Sequence, residues 1–450
     1  LAVALTGPFG GPAGAESPAA QPASSPAAPA AKKSGNPVTP GNFTGYGFDQ
    51  CLAPEQAKMD KWLQHSPFLA VGIYISGDSR ACRNQPNLTP QWIATQLRKG
   101  WRLLPITLGP QASCQPRFPR YKDDFKISPV PAKSGRYPKA RKMGAAEARK
   151  AVTAAKALGI VPGSTLWYDL EGFDHSNRHC RESALAFLSA WTRQLHDLNY
   201  VSGVYSSAGS GIKALDEARV SRPGAFDLPD RIWLARWDGK ANTSSSYLRE
   251  DGWRPGHRVK QYQGGHDETW GGVTINIDRN WLALGSTQVP KESHCGGVNL
   301  NFRQFQALRP AADGYRPPKN KVRALQCLLQ QKGELTGPIN GTYDARTVAA
   351  VHAWHAKLGV AASDRWTRRD WITAHLWGNR PVLKIGSTGT YVRRLQRALN
   401  AADLTNRLPV SGTYDGATAA AVRKYQKKVK VAVSGITNFN TWKKLRVGRW

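Results

Sequence analysis

Short apolar segments recur between Phe43 and about Leu284, separated by turn-forming residues. Each is short enough to be a buried β-strand, and glycine, proline or small polar residues bound most of them. We predict eight strands, at Tyr46–Phe48, Ala70–Ile75, Arg102–Leu108, Thr165–Leu170, Val201–Tyr205, Ile232–Ala235, Val259–Tyr262 and Val273–Ile277.

Helical patterns lie between the early strands, and they carry ordinary start and stop signals. Thr89 and Pro90 are suited to the cap and first position of one helix, and Gly159 is suited to the end of another. We predict helices at Pro54–His65, Thr89–Lys99, Gly144–Leu158 and Glu182–Leu198, and no clear helix after the sixth strand. Strands alternating with helices over about 240 residues indicate an α/β fold, a TIM-like (β/α) barrel with a shortened helical complement.

The strongest chemical signal is Asp169-Leu-Glu171, which ends the fourth apolar segment. Side chains alternate along a strand, so the two acids share one face. Active sites of such barrels lie at the carboxyl ends of the strands. The alternative for each acid taken singly is a turn or a helix cap. Against that alternative, polar side chains lie at the ends of many of the strands: Asp49, Asp78, Asp169, Glu171, Tyr205, Trp237, Asp238, Gln261, Gln263 and Asp278.

The N-terminal segment and the cysteines point to export. Leu1–Leu5 is apolar, an Ala/Pro/Gly/Ser tract runs from Pro8 to Pro40, and Ala13-Gly-Ala15 could be a cleavage site. We therefore assign residues 1–42 to a signal-peptide remnant and a disordered linker. The six cysteines allow many pairings, of which we expect Cys51–Cys82, Cys114–Cys180 and Cys295–Cys327.

The net charge of +32 predicts an anionic partner. Nucleic acid lacks support because no zinc-finger or RNP-like motif is present. Two histidine-containing groups, at 175–180 and 352–355, do not supply four metal ligands, so we expect no metal and no cofactor. No apolar run is long enough to span a membrane, and we expect a monomer.

The last third of the chain is an internal repeat with a period of about 70 residues. Val322-Arg-Ala-Leu-Gln matches Val392-Arg-Arg-Leu-Gln, and Gly341-Thr-Tyr-Asp matches Gly412-Thr-Tyr-Asp. Each unit reads as helix, turn, helix, turn and short helix, and we expect Thr342 and Thr413 to cap the middle helices. The predicted domains are a barrel at 43–286 and two small all-α three-helix modules at 293–378 and 379–450.

Two resemblances follow from these motifs. Gly47-Phe-Asp49, Asp169-Leu-Glu171, Trp233-Leu-Ala235 and Ile277-Asp-Arg-Asn280 resemble the family 25 glycoside hydrolases, which are lysozymes. The Gly-Phe-Asp-Gln-Cys start and Tyr168-Asp-Leu-Glu171 are similar to a "glycoside hydrolase-like" subfamily of exported actinobacterial proteins. The repeats resemble the peptidoglycan-binding domain type 1, although the first departs from it at Trp354-His355.

The resemblance implies an exported, cell-wall-associated hydrolase that cleaves glycosidic bonds of peptidoglycan. Glu171 would be the general acid, with Asp169, Asp49 and Asp278 as the other catalytic carboxylates. The expected substrate-binding side chains are Tyr205, Trp237, Gln261, Tyr262 and Asp78. Two alternatives remain, because fold alone does not fix function. One is a wall protein that binds peptidoglycan or another acidic wall polymer without cutting it. The other is a barrel that acts on a different carbohydrate.

Overall fold

In the computed structural model, the described residues are 35–115, 121, 123–285, 288–376 and 378–450. Residues 36–450 form one compact unit. Most of the predicted signal-peptide remnant and linker, residues 1–34, lies outside the described residues. Within residues 36–42, Thr39 contacts the barrel: its hydroxyl donates to the carbonyl of Leu103 over 2.8 Å, and its own carbonyl accepts from the backbone N–H of Thr165.

Eight strands close into a barrel in chain order. The first seven are parallel neighbours, and the eighth is antiparallel to both the seventh and the first. The strands are β1 Thr44–Asp49, β2 Ala70–Ser76, β3 Arg102–Thr107, β4 Thr165–Leu170, β5 Val201–Ser207, β6 Arg231–Ala235, β7 Arg258–Trp270 and β8 Val273–Ala283. The predicted fold class is confirmed.

The last two strands differ from their predicted extents. They form a long hairpin that rises beyond the barrel, and β8 continues through Asp278 to Ala283. Gly271 and Gly272 make the turn, and both have positive φ (60° and 77°), as a tight two-residue hairpin turn requires. Asp278 therefore lies within an antiparallel strand, and the prediction that it follows the end of the eighth strand is wrong.

Helices cover the outside of the barrel. As predicted, the Thr89 hydroxyl caps the second helix and accepts from the backbone of Trp92. The helices are α1 Gln56–His65, α2 Pro90–Arg98, α3 Pro138–Ala157, α4 Arg178–Asp197 and α5 Lys213–Ser221, the last preceded by a π-helical turn at Ala208–Ile212. Between β6 and β7 the described residues contain no helix, as predicted, which gives the shortened helical complement.

Two tryptophans fill the barrel interior beneath its mouth. The rings of Trp167 on β4 and Trp233 on β6 meet edge to face at 5.6 Å, and both side chains are buried. Gly203 on β5 makes room for them, because a Cβ there would lie 2.4 Å from the Trp167 ring. The barrel is thus a packed core with a closed floor.

All three predicted disulfides are present: Cys51–Cys82, Cys114–Cys180 and Cys295–Cys327. The first joins the segments that follow β1 and β2. The second joins the segment that follows β3 to the start of α4. Both therefore tie together loops at the carboxyl ends of the strands, where the acids lie.

The C-terminal repeat folds as two sets of three helices. The first set is α6 Lys319–Gln331, α7 Ala345–Leu358 and α8 Arg368–His375, and the second is α9 Thr390–Ala402, α10 Gly416–Lys428 and α11 Phe439–Arg446. The predicted threonine caps are wrong. Asp344 and Asp415 cap α7 and α10 instead, and each carboxylate accepts from the backbone N–H of the threonine three residues on.

Lys384, just before α9, joins the second helical set to the barrel. Its buried ammonium donates to the carbonyls of Ser66 (2.7 Å) and Phe68 (3.0 Å) and lies 5.7 Å from the centre of the Trp101 ring. Ser66 and Phe68 precede β2. The second set therefore docks near the amino ends of the strands, opposite the mouth that carries the acids.

No helix in the described part of the chain is both long and apolar enough to cross a membrane.

Candidate active site

Four carboxylates converge at the mouth of the barrel. Asp49 ends β1, Asp169 lies near the end of β4, and Glu171 follows directly after that strand. Asp278 reaches the same level from the antiparallel β8, because its register partner is Asp49. The nearby phenol of Tyr205 is within electrostatic reach of all four.

Asp49 and Asp278 form a hydrogen-bonded carboxyl pair. Asp49 accepts 2.6 Å from the amide of Asn280 and 3.2 Å from the amide of Gln261. Burial raises the pKa of Asp49 to about 6, against these hydrogen bonds, which favour its charged form.

Asp278 holds the proton of this pair at neutral pH. Burial first, and then the charge of Asp49, raise the pKa of Asp278 to about 8. The pair titrates as a unit, and the amides of Asn280 and Gln261 place the negative charge on Asp49. Two adjacent carboxyls thus share one proton at the floor of the site.

Asp169 and Glu171 are held by side chains from neighbouring segments. The phenol of Tyr74, on β2, donates to the buried carboxylate of Asp169 over 3.2 Å. The side chain of Gln111 donates to the Asp169 carbonyl (3.0 Å) and accepts from the Glu171 N–H (2.9 Å). The half-buried Glu171 carboxylate accepts from Tyr121 at 3.4 Å. The Asp-Leu-Glu segment is therefore fixed through both its backbone and its side chains.

Gln261 links the aromatic side of the site to the acids. Its oxygen accepts from the phenol of Tyr205 (3.0 Å) and from the indole of Trp237 (2.9 Å), while its amide donates to Asp49. Trp237 is 63% exposed, and its ring lies against the backbone of Gly264. An exposed, oriented indole beside carboxylates can stack on a sugar ring.

An open cleft of about 630 Å³ lies over these groups. Asp49, Glu171, Asp278 and Tyr74 line it together with Arg80, whose guanidinium is anchored to the carbonyl of Gly77 at 2.8 Å. The Cys51–Cys82 disulfide forms part of its rim. The cleft is of the size that ligand sites usually have.

The structure brings together most of the predicted site residues. The cluster contains Asp49, Asp169, Glu171, Asp278, Tyr205, Trp237 and Gln261. It leaves out Tyr262, which hydrogen-bonds Arg279, and Asp78, whose exposed carboxylate lies 3.4 Å from the ammonium of Lys150.

Sequence reasoning missed Tyr74, Gln111, Asn280 and Arg80 as members of the site. Alternation along β2 could have revealed Tyr74, because Gly72 faces the barrel interior and Tyr74 lies two residues further on. Gln111 and Arg80 lie in loops, where no periodicity marks the direction of a side chain.

Gly72 leaves the space that Asp49 occupies. A Cβ on Gly72 would lie 2.5 Å from the Asp49 Cβ and 3.1 Å from Ile106. We expect Gly72→Ala to lower the free energy of unfolding by about 1–3 kcal/mol, measured by urea denaturation. Gly265→Ala is the control, since a Cβ there would make only ordinary contacts, the nearest at 3.6 Å. Equal stability of the two variants would show that the site tolerates displacement of Asp49.

Two segments of the chain match known domain families. Residues 60–282 match the "Rv2525c-like, glycoside hydrolase-like domain". Residues 388–445, in the second helical repeat, match the "Putative peptidoglycan binding domain". No curated protein matched the chain.

Similar solved structures include an uncharacterized B. stearothermophilus protein, 18% identical, with a TM-score of 0.33, covering 53% of this chain and 95% of that one. The Mycobacterium tuberculosis Tat-secreted protein Rv2525c, in complex with HEPES, is 12% identical, with a TM-score of 0.34 and the same coverage. A beta-mannanase from a symbiotic protist of the termite Reticulitermes speratus is 14% identical, with a TM-score of 0.27, covering 46% of this chain and 69% of that one. Similarity at these TM-scores carries no argument about function.

The two family matches agree with the closed barrel and with the helical repeats described above. Together they support a glycan-related protein of the cell wall. Residues 60–282 thus match the Rv2525c-like, glycoside hydrolase-like domain, and they are joined in one chain to residues 388–445, which match a putative peptidoglycan-binding domain.

Proposed function

We propose that the barrel hydrolyses glycosidic bonds of peptidoglycan in the manner of a lysozyme, with Glu171 as the general acid. The observation that carries this proposal is the meeting of four carboxylates beneath an open cleft of about 630 Å³. Paired carboxyl groups, one protonated and one charged, are the working parts of glycoside hydrolysis.

Glu171 is the acid best placed to reach a substrate. It lines the cleft and is half-buried, whereas Asp169 is almost fully buried below it. The Tyr121 hydroxyl and the Gln111 side chain fix its position. A proton passed from Glu171 to the glycosidic oxygen would assist departure of the leaving sugar.

Asp169 would act as a charge that stabilises the transition state. Its carboxylate is held by Tyr74 and cannot move far to attack a sugar carbon. On N-acetylated sugars, the acetamido group of the substrate can serve as the nucleophile, with a carboxylate to steer it. Positive charge that develops on the sugar ring would be stabilised across the low-dielectric floor.

The Asp49–Asp278 pair would complete the floor of the site, and the aromatic groups its side. Asp278 faces the cleft, and while its proton is shared with Asp49 its carboxyl oxygens can accept a hydrogen bond from a sugar hydroxyl. Trp237 would stack on a sugar face, and Tyr205 would keep the Gln261 amide aligned.

The helical repeats would hold the barrel on its substrate. The second repeat matches a peptidoglycan-binding family, and the first has the same three-helix order. Attachment to the wall raises the local concentration of glycan strands without any new catalytic contact. Because the second repeat docks at the end of the barrel opposite its mouth, it leaves the cleft open to glycan strands.

Digestion of purified peptidoglycan tests the proposal. We would incubate sacculi with the protein, reduce the new chain ends with borohydride, and identify the released muropeptides by mass spectrometry. New reducing ends show a glycosidase, and the terminal sugar identifies the bond. Glu171→Gln protein, purified in the same way, controls for a contaminating hydrolase.

The opposite result is equally informative. If the protein pellets with sacculi from several sources and releases no fragments, the barrel binds glycan without cutting it. A panel of other purified polysaccharides would then separate a non-catalytic wall protein from an enzyme that acts on a different glycan.

A further inference from the structure

A second groove, of about 690 Å³, lies between the two helical sets. Its walls come from the end of α7, from α8, and from the chain at and after the end of α11. The described residues that line it include no Asp or Glu. They include five cationic side chains: Lys357, Arg369, Arg380, Arg446 and Arg449. All five residues are exposed.

The charge of this groove is poorly compensated. Within the described part of the chain, Lys357 pairs with Glu334, whereas Arg369, Arg380, Arg446 and Arg449 form no ion pair with an acid. Residues 293–450 hold 27 lysines and arginines against seven acids. The groove therefore lies in the field of a strongly basic domain pair.

Two details show that the positive charge is not merely a helix-capping effect. Arg369 is the second residue of α8, at the end where the helix dipole disfavours a cation. The carbonyl of Lys332 accepts a hydrogen bond from the Lys357 ammonium, and burial, together with the charges of Arg394 and Lys357, lowers the pKa of Lys332 to about 8. The cations thus oppose one another, and a bound anion would relieve that repulsion.

We propose that this groove binds a linear, base-free polymer of phosphodiesters, of the kind that decorates cell walls. Four of the five cations are arginines, whose planar guanidinium groups bind phosphate oxygens in pairs. The site is separate from the barrel mouth and from any glycosidase activity, and it would give the protein a second hold on the wall.

The lining of the groove favours a base-free polymer over nucleic acid. Its apolar residues are aliphatic, namely Leu358, Val360, Leu376 and Val447, and the described lining contains no aromatic ring. Proteins that bind single-stranded nucleic acid use aromatic rings to stack bases. Aliphatic walls suit the CH₂ groups of a polyol-phosphate chain.

Binding of poly(glycerol phosphate) to the full chain tests the proposal, measured by titration calorimetry at several salt concentrations. The test variant is R369Q/R446Q/R449Q. We expect its affinity to fall at least about tenfold, and the slope of log K against log salt to become shallower by about 2, as loss of three phosphate contacts on a single strand requires. R369K/R446K/R449K keeps the charge but loses the paired hydrogen bonds, so its affinity should lie between those of wild type and the glutamine variant.

The matched control is K427Q/K428Q/K430Q, which removes the same charge from exposed positions at the end of α10. An equal loss of affinity in K427Q/K428Q/K430Q and R369Q/R446Q/R449Q would show that net charge alone drives binding. It would overturn the proposal that the groove is the binding site. Tighter binding of oligo(dT) than of poly(glycerol phosphate) would overturn the base-free polymer, and preference for polygalacturonate would overturn the phosphodiester.

Thermal melting of each variant confirms that it is folded, and the lysine variant supplies the test if the glutamine variant is not. Glu171→Gln should bind the polymer like wild type. Failure of the proposed hydrolase and failure of this groove are therefore separately visible.

Discussion

Glu171→Gln is expected to lower the rate of release of reducing ends from peptidoglycan by at least about 100-fold, the usual contribution of a general acid. Glutamine keeps the shape of the side chain and can still accept from Tyr121. It cannot deliver a proton to the glycosidic oxygen. The measurement is the initial rate of product formation, followed by mass spectrometry of borohydride-reduced muropeptides.

The matched control is Glu250→Gln, which removes an exposed carboxylate that pairs with the nearby Arg254, away from the acidic cluster. Its rate should equal that of wild type. Glu171→Gln should still pellet with sacculi, because the helical repeats are untouched. If its rate matched wild type, Glu171 would not be the acid, and the protonated Asp278 would become the group to replace next.

The sequence predicts the barrel well because its signals are local. Apolar runs bounded by turns locate all eight strands, and polar residues at the ends of those runs identify Asp49, Asp169 and Glu171. The carboxyl ends of parallel strands meet at one face, so these acids converge without any knowledge of long-range contacts. Cysteines that follow neighbouring strands likewise lie near each other.

Strand direction was harder to predict. The apolar pattern of β8 breaks at Asp278, Arg279 and Asn280, so the strand appeared to stop at Ile277. The break exists because Asp278 and Asn280 face the acidic floor, where polar groups are required. The Gly271-Gly272 pair was a local sign of a hairpin, and it implied the antiparallel course.

The groups that position the acids were largely out of reach of sequence reasoning. Gln111, in a loop after β3, hydrogen-bonds one backbone group of β4 and one directly after it, and nothing in the neighbouring sequence indicates those contacts. The helix caps failed for another reason. Thr342 and Asp344 are both good capping residues, and the choice between them depends on where the helix begins, which pattern locates poorly.

Asp278→Asn is expected to flatten the pH dependence of stability. The pKa of Asp278 is about 8 in the folded protein, whereas an aspartate in an unfolded chain has a pKa near 3.9. Between these values the folded state holds a proton that the unfolded chain has lost. The contribution of this carboxyl to stability is therefore complete below about pH 4, declines as pH rises, and is gone above about pH 8.

The expected loss of stability follows from the one proton that Asp278 releases in the folded state as pH rises toward its pKa of about 8. A difference of one bound proton between the folded and unfolded states lowers the free energy of unfolding by about 1.4 kcal/mol per pH unit. The partial exposure of Asp278 reduces this effect. We expect wild type to lose on the order of 1–2 kcal/mol more than Asp278→Asn between pH 6 and pH 8, measured by urea denaturation at each pH.

Asp267→Asn is the control, since it removes a carboxylate from the exposed part of the neighbouring β7. It should keep the wild-type slope, and the difference between variants cancels the titration of histidines elsewhere. A wild-type slope in Asp278→Asn as well would mean that Asp278 is charged at neutral pH. The Asp49–Asp278 pair would then hold no proton, and the floor of the site would carry two negative charges that only accept hydrogen bonds.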